Sequence, residues 1–190
     1  MDGAGQLIVL SGPSAVGKTC VATELQRMLV GRWLFLEIDR MQPPVLWPDA
    51  TVADERAMTT ANLRAIRAYV DSGFSVIAEM DVTRDRWGLA DEILGDLNPY
   101  FVVLEAGPET LLVRARHRFQ SAGPAHPYPH PAWVAWHATH IDWSTARADL
   151  HIAVDDLAPE QAARVIAQLP GRTIPAPRDQ GADVRVDSDE

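Results

Sequence analysis

The sequence predicts an α/β fold of three layers, a five-stranded parallel sheet covered by helices on both faces. Two observations predict it. Short stretches of strand type alternate with longer stretches of helical period over the first 170 residues. The strand-type stretches are near-continuous apolar runs, the pattern of strands buried on both faces.

The elements follow in order. Gln6–Ser11 is an apolar run and forms the first strand; a helix then runs to about Leu29. Trp33–Ile38 is the second strand and ends at Asp39. Pro43, Pro44 and Pro48 make Met41–Val52 a loop. Met58, Ala61, Ala65, Ile66 and Tyr69 recur at helical spacing, so Ala53–Val70 is a helix, ended by Asp71-Ser72-Gly73. Phe74–Ala78 is the third strand, Asp85–Leu94 a short helix and Tyr100–Leu104 the fourth strand. Pro108 sits at the favoured first turn of a helix reaching Phe119. Four prolines keep Ser121–Pro131 irregular. A helix from Ala132 to about Ala146, a fifth strand at Leu150–Val154 and an Ala-rich helix at Pro159–Leu169 complete one domain, residues 1–170. From Gly171 the apolar periodicity ceases, and residues 171–190 are expected to be a disordered acidic tail.

Bulk properties narrow the function classes. A formal net charge of −9 argues against a broad nucleic-acid-binding surface, which needs Lys and Arg. A lone Cys20 leaves no internal disulfide and no Cys-based zinc site, which fits a reducing compartment. No apolar run reaches membrane-spanning length, and the N-terminus lacks a basic segment followed by an apolar one, so the expected location is cytoplasmic, without a membrane partner.

The most specific feature is Gly12-Pro13-Ser14-Ala15-Val16-Gly17-Lys18-Thr19, a complete G-x-x-x-x-G-K-T phosphate-binding loop between the first strand and the first helix. Its glycines let backbone N–H groups wrap a phosphate chain, and the helix presents its positive end to the same phosphates. Lys18 is expected on the β- and γ-phosphates and the Thr19 hydroxyl on Mg²⁺. This predicts a P-loop NTPase fold that binds a nucleoside triphosphate with Mg²⁺.

Other candidates lie at the carboxyl ends of the strands, where ligands sit in such sheets. Asp39 follows strand two, 21 positions after Lys18, and is the candidate general base. Glu79, with Asp81 beside it, follows strand three. An acid there can hold the Mg²⁺ water shell or orient substrate, and Asp81 equally suits a turn cap. Arg114 and Arg118 are four apart on one helix face, at the base of a Pro-rich lid. There they would neutralise a phosphoryl group in transfer, with a solvated face as the alternative. Pro127 and Pro129 between His126 and His130 exclude helical metal geometry, whereas His137 and His140 can share a face. Trp33, Trp47, Trp133, Trp136 and Trp143 are expected mostly in the core, with Trp47 the leading acceptor-pocket residue.

The phosphate loop, followed by Leu-Glu-Ile-Asp39-Arg-Met, Gly73-Phe-Ser-Val-Ile-Ala-Glu79, Arg114-x-x-x-Arg118 and Asp149-Leu-His-Ile-Ala-Val-Asp155, resembles the chloramphenicol phosphotransferase-like P-loop kinases over roughly four-fifths of the chain. The resemblance implies a nucleoside/shikimate-kinase-like fold with strand three between strands one and two. It also implies an ATP-dependent O-phosphotransferase acting on a small-molecule hydroxyl acceptor, antibiotic-like or another metabolite. Asp39 is then the base and Glu79 the strand-three acid. The Pro- and His-rich Ser121–Pro131 segment and the Trp47 loop depart from the family, which leaves the acceptor open. The loop stretch also resembles guanylate kinase, so a nucleoside-monophosphate kinase is the alternative, although that family's β-rich insertion after strand two is not found here. A non-catalytic NTP-binding module is the third reading. The guanine-specifying Asn-Lys-x-Asp pattern of GTPases is absent.

Overall fold

The computed structural model describes residues 5–38, 51–84, 86–122, 130–141 and 148–169. Its elements are β1 (Leu7–Ser11), α1 (Lys18–Met28), β2 (Trp33–Glu37), α2 (Val52–Asp71), β3 (Ser75–Glu79), α3 (Trp87–Leu94), β4 (Tyr100–Glu105), α4 (Pro108–Ala122), α5 (Pro131–His140), β5 (Leu150–Ala153) and α6 (Pro159–Ala167). All five strands are parallel, in the order β2-β3-β1-β4-β5. Strand three therefore lies between strands one and two, as the family resemblance implied.

Alternation along β1 makes the three layers. Ile8 and Leu10 pack with Val21, Leu25 and Ile166 on the α1–α6 side. Leu7 and Val9 face the other way, onto Leu63, Ile66 and Leu94 of α2 and α3. Both faces are thus buried, which is why β1 reads as unbroken Leu-Ile-Val-Leu.

Local chemistry moves several boundaries from their expected places. Thr51 and Asp54 form a reciprocal capping box, so α2 starts at Val52. Helix α4 runs on to Ala122, past the expected end at Phe119. Pro131 occupies the first turn of α5, where its missing N–H costs nothing, and His130 Nδ1 accepts from the Ala132 N–H. Helix α5 ends at His140, capped at Ile141. Between β2 and β3 the described residues hold helix α2 and no strand.

The chain leaves β1 through a tight passage. Parallel pairing sets Ser11 beside Val103 of β4, and Gly12 then turns with φ of 136°. A Cβ on Gly12 would lie 2.3 Å from the Leu104 carbonyl oxygen, a backbone atom that cannot yield. Gly17 also has positive φ, 109°, but a Cβ there meets nothing within 4 Å. Gly12→Ala is therefore expected to lose more stability than Gly17→Ala. The second should cost about 1–3 kcal/mol of backbone strain alone, and the first that strain plus a displaced loop. Urea unfolding of the two variants measures the difference, and equal losses would contradict it.

Candidate active site

The phosphate loop begins where β1 ends. Val16 N–H donates to the Pro13 carbonyl at 3.3 Å, Ala15 adopts φ of 67°, and α1 starts from Gly17 with no capping side chain and no acidic residue in its first turn. A helix end of this kind attracts an anion.

Lys18 is 5% exposed, and its ammonium donates to the Gly12 carbonyl at 2.8 Å, the Pro13 carbonyl at 3.4 Å and Asp81 Oδ1 at 3.0 Å. One residue on, Thr19 Oγ1 donates to Glu79 Oε1 at 3.1 Å. Register brings these groups together: Leu10 pairs with Glu79, so the end of β3 lies beside the start of the loop. Two further bonds fix the chain after β3. The Met80 N–H donates to the Leu10 carbonyl at 3.1 Å, and the Val82 N–H to Ser11 Oγ at 3.0 Å. Ser11 is 1% exposed, so this polar link is shielded from water.

His137 of α5 reaches the same neighbourhood. It is buried and stacks on Trp133, with ring centroids 4.3 Å apart and planes at 18°. Burial pushes its pKa below the ordinary 6.5; Lys18 and Arg86 push the same way, and Asp81 opposes them. Val134 anchors α5 to the core, where Leu111 and Ala115 of α4 also sit.

On the other side of the loop lies a cavity of about 790 Å³. Ala15, Val16, Gly17, Cys20 and Val21 form one wall, Val113, Arg114, His117, Arg118 and Ser121 another, and Val154, Leu157, Pro159 and Ala162 the third. Neither Lys18, Asp81 nor His137 lines it. An apolar cavity touching a phosphate loop suits a flat, partly apolar group carried on a phosphate chain.

The structure brings together Gly12–Thr19, Glu79, Arg114 and Arg118, and places them differently from expectation in part. Arg114 and Arg118 share a face, since both line the cavity. Arg114 donates to the carbonyls of Val16 at 2.9 Å, Val154 at 2.7 Å and Asp155 at 3.4 Å, tying the loop to the end of β5. Its guanidinium thus acts on the loop backbone, a role that spacing alone does not reveal. Asp81 is not a turn cap: it holds the lysine. Trp33 is in the core as expected, but Trp133 and Trp136 are 43% and 50% exposed. His137 is buried and His140 exposed, so they do not share an environment, and among the described residues no group of three potential ligands could hold a metal ion. Asp39, Trp47, Trp143 and most of Ser121–Pro131 lie outside the described residues. Sequence reasoning missed the cavity walls from Val113, His117 and Leu157. Val113 and His117 on a helix and Leu157 in the turn before α6 carry no local signal of what they face.

Fold and site together define a kinase-like P-loop fold. The family model for chloramphenicol phosphotransferase-like proteins matches residues 5–170, and the chain belongs to that family. It is 32% identical over 116 residues to the Mycobacterium tuberculosis protein named "Putative O-phosphotransferase Rv2636", an alignment covering 47% of this chain and 51% of that protein. The chain thus spans about half the length of the curated relatives it matches. Among solved structures, a sugar kinase from Janibacter sp. HTCC2649 shares the fold with a TM-score of 0.64 and 18% identity, covering 85% of this chain and 92% of that one. The Mycobacterium tuberculosis APS kinase CysC, in complex with AMPPNP and APS, does so with a TM-score of 0.62 and 17% identity, covering 86% and 95%. No helix among the described residues is long and apolar enough to cross a membrane.

His137 has a consequence for pH. The unfolded chain takes up this proton near the ordinary 6.5, and the folded chain only at lower pH. Stability is then full above that value and falls as pH drops through it, because the unfolded state binds more protons. Thermal melts from pH 7.5 to 5.5 should show a smaller loss for His137→Gln than for wild type; identical slopes would contradict this.

Proposed function

We propose that the protein is an ATP-dependent O-phosphotransferase that moves the γ-phosphate to a hydroxyl of a small molecule. The observation that carries the reading is the double pairing at the ends of β1 and β3, Lys18 with Asp81 and Thr19 with Glu79. It gathers a cation, a hydroxyl and two carboxylates on one phosphate loop. Family membership and the O-phosphotransferase name of the mycobacterial relative support the same class.

The residues present fit ATP and Mg²⁺. Backbone at Gly17 faces open space, as a loop that admits phosphate requires. Thr19 and Glu79 offer only oxygen donors, the set a hard cation prefers. Mg²⁺, when bound, would supply charge neutralisation on the β- and γ-oxygens. The adenosine end would occupy the cavity between α1, α4 and α6, against Val113, His117 and Leu157. Arg114, by holding the Val16 carbonyl, keeps the loop in register with that cavity. Arg118 extends the positive wall towards the triphosphate. Lys18 follows the γ-phosphoryl group and stabilises its equatorial oxygens.

Asp39 is the proposed base, two residues beyond Glu37, which pairs with Glu79 across β2 and β3. Its carboxylate accepts the acceptor's hydroxyl proton as the oxygen bonds to the γ-phosphorus. The bond from that phosphorus to the bridging oxygen breaks, and ADP leaves with the electron pair. The His137 ring on α5 helps to close the site against water, a competing acceptor. The acceptor class is a small hydroxylated molecule, antibiotic-like or metabolic.

The test uses purified protein, Mg-ATP and a panel of hydroxylated natural products beside nucleoside monophosphates. Lys18→Ala should lower acceptor-dependent transfer by about 10²–10³-fold and Asp39→Asn by about 10²–10⁴-fold, both with wild-type circular dichroism. Full transfer in Asp39→Asn would remove Asp39 as the base. Phosphorylation of monophosphates alone would replace the reading with a nucleotide kinase.

A further inference from the structure

We propose that Asp81 is the positioning residue of Lys18, and that it is held in place by the hydrogen bonds on either side of it that tie the chain after β3 to the end of β1. The proposal rests on the reading of Lys18 as the phosphate-binding lysine.

Asp81 sits between two anchored neighbours. The Met80 N–H is bonded to the Leu10 carbonyl, and Val82 exchanges two contacts with Ser11, its N–H donating to Ser11 Oγ at 3.0 Å while that hydroxyl lies 3.4 Å from the Val82 carbonyl. Met80 and Val82 are themselves buried, at 4% and 1% exposure. A residue fixed on both sides has little freedom to move, so its carboxylate is aimed by the backbone. What it is aimed at is the Lys18 ammonium, 3.0 Å away.

A lysine is otherwise a poor fixed charge. Its four-carbon stem has many rotamers, and its ammonium is a point charge with no directional fork. Here the Gly12 and Pro13 carbonyls hold one side of the ammonium and Asp81 another. Those carbonyls belong to the phosphate loop itself, whereas Asp81 belongs to the segment that follows β3. Asp81 therefore ties the lysine to the chain after β3 as well as to its own loop. Preorganised charge of this kind acts mainly on the transition state, where a misplaced cation loses most of its effect. Asp81 contacts the Lys18 ammonium, and in this proposal it acts through Lys18.

The effect of such a residue must vanish when the lysine is removed. Wild type, Lys18→Ala, Asp81→Asn and the double variant are compared by kcat and by KM for Mg-ATP. Both transfer to an acceptor and basal hydrolysis to water are measured. Asp81→Asn is expected to lower kcat roughly 10- to 100-fold, with KM for ATP changed less than threefold. In the Lys18→Ala background the same change should alter kcat by less than twofold, since residues acting as a unit are non-additive. Asp81→Glu, which keeps the charge, should recover part of the loss. Multiplying effects in the double variant, or a wild-type kcat in Asp81→Asn with an unchanged melting temperature, would overturn the proposal. Hydrolysis without transfer to any acceptor would defeat the phosphotransferase reading, while the same four proteins still decide the role of Asp81.

Discussion

Parallel pairing between β1 and β3 is the constraint on which the site depends. It sets Leu10 opposite Glu79, and everything beyond those two residues is brought together by that register. A slip of one residue would turn Glu79 to the opposite face of the sheet and Asp81 away from the lysine. Leu7, Val9, Ile8 and Leu10 each pack on an apolar layer, and the Met80 N–H on the Leu10 carbonyl and the Val82 N–H on Ser11 Oγ lock the register at the strand end. Hydrophobic packing of the sheet thus fixes the polar geometry at its edge. The same packing brings β4 against the other side of β1, where the Leu104 carbonyl leaves room for a glycine alone at position 12.

The loop separates two environments. Towards α4 and α6 it borders an apolar cavity, with Arg114 tying its Val16 carbonyl to the end of β5. Towards β3 and α5 it borders buried polar groups: Lys18, Glu79, and His137 under Trp133. A phosphate chain laid along the loop would have its apolar end in the first environment and its reactive end in the second. Asp155 braces the start of α4. It accepts from Gly107 N–H at 2.9 Å and Thr110 Oγ1 at 2.6 Å, the hydrogen bonds that hold its carboxyl below the usual carboxylate range.

The layers, the sheet order and the phosphate loop were legible because each is written in local pattern or in family landmarks. Unbroken apolar strands meant burial on both sides, and Gly-Lys-Thr after a strand meant a phosphate loop. The pairing of Thr19 with Glu79 was half legible, since both lie at the sheet's carboxyl edge. Asp81 was not: a carboxylate two residues past a strand reads equally as a turn cap until Ser11 and Val82 are seen to fix it. The backbone partners of Arg114 were not legible for a related reason. Helical spacing gives the face of a helix, but not whether a backbone carbonyl or a ligand waits there. The tryptophans were expected mostly in the core, yet Trp133 and Trp136 are exposed and the inward position on that helix turn belongs to Val134. Asp39 and Trp47 lie outside the described residues, so the sequence remains the whole of their case.

The most direct test of the account follows the phosphate itself. Purified protein is given Mg-ATP labelled at the γ-phosphorus, with and without a hydroxylated small-molecule acceptor, and the destination of the label is read by mass spectrometry. Label bound through oxygen to the acceptor, at a rate that falls in Lys18→Ala, is the predicted result. Label found only in inorganic phosphate or only on a nucleoside monophosphate would contradict it.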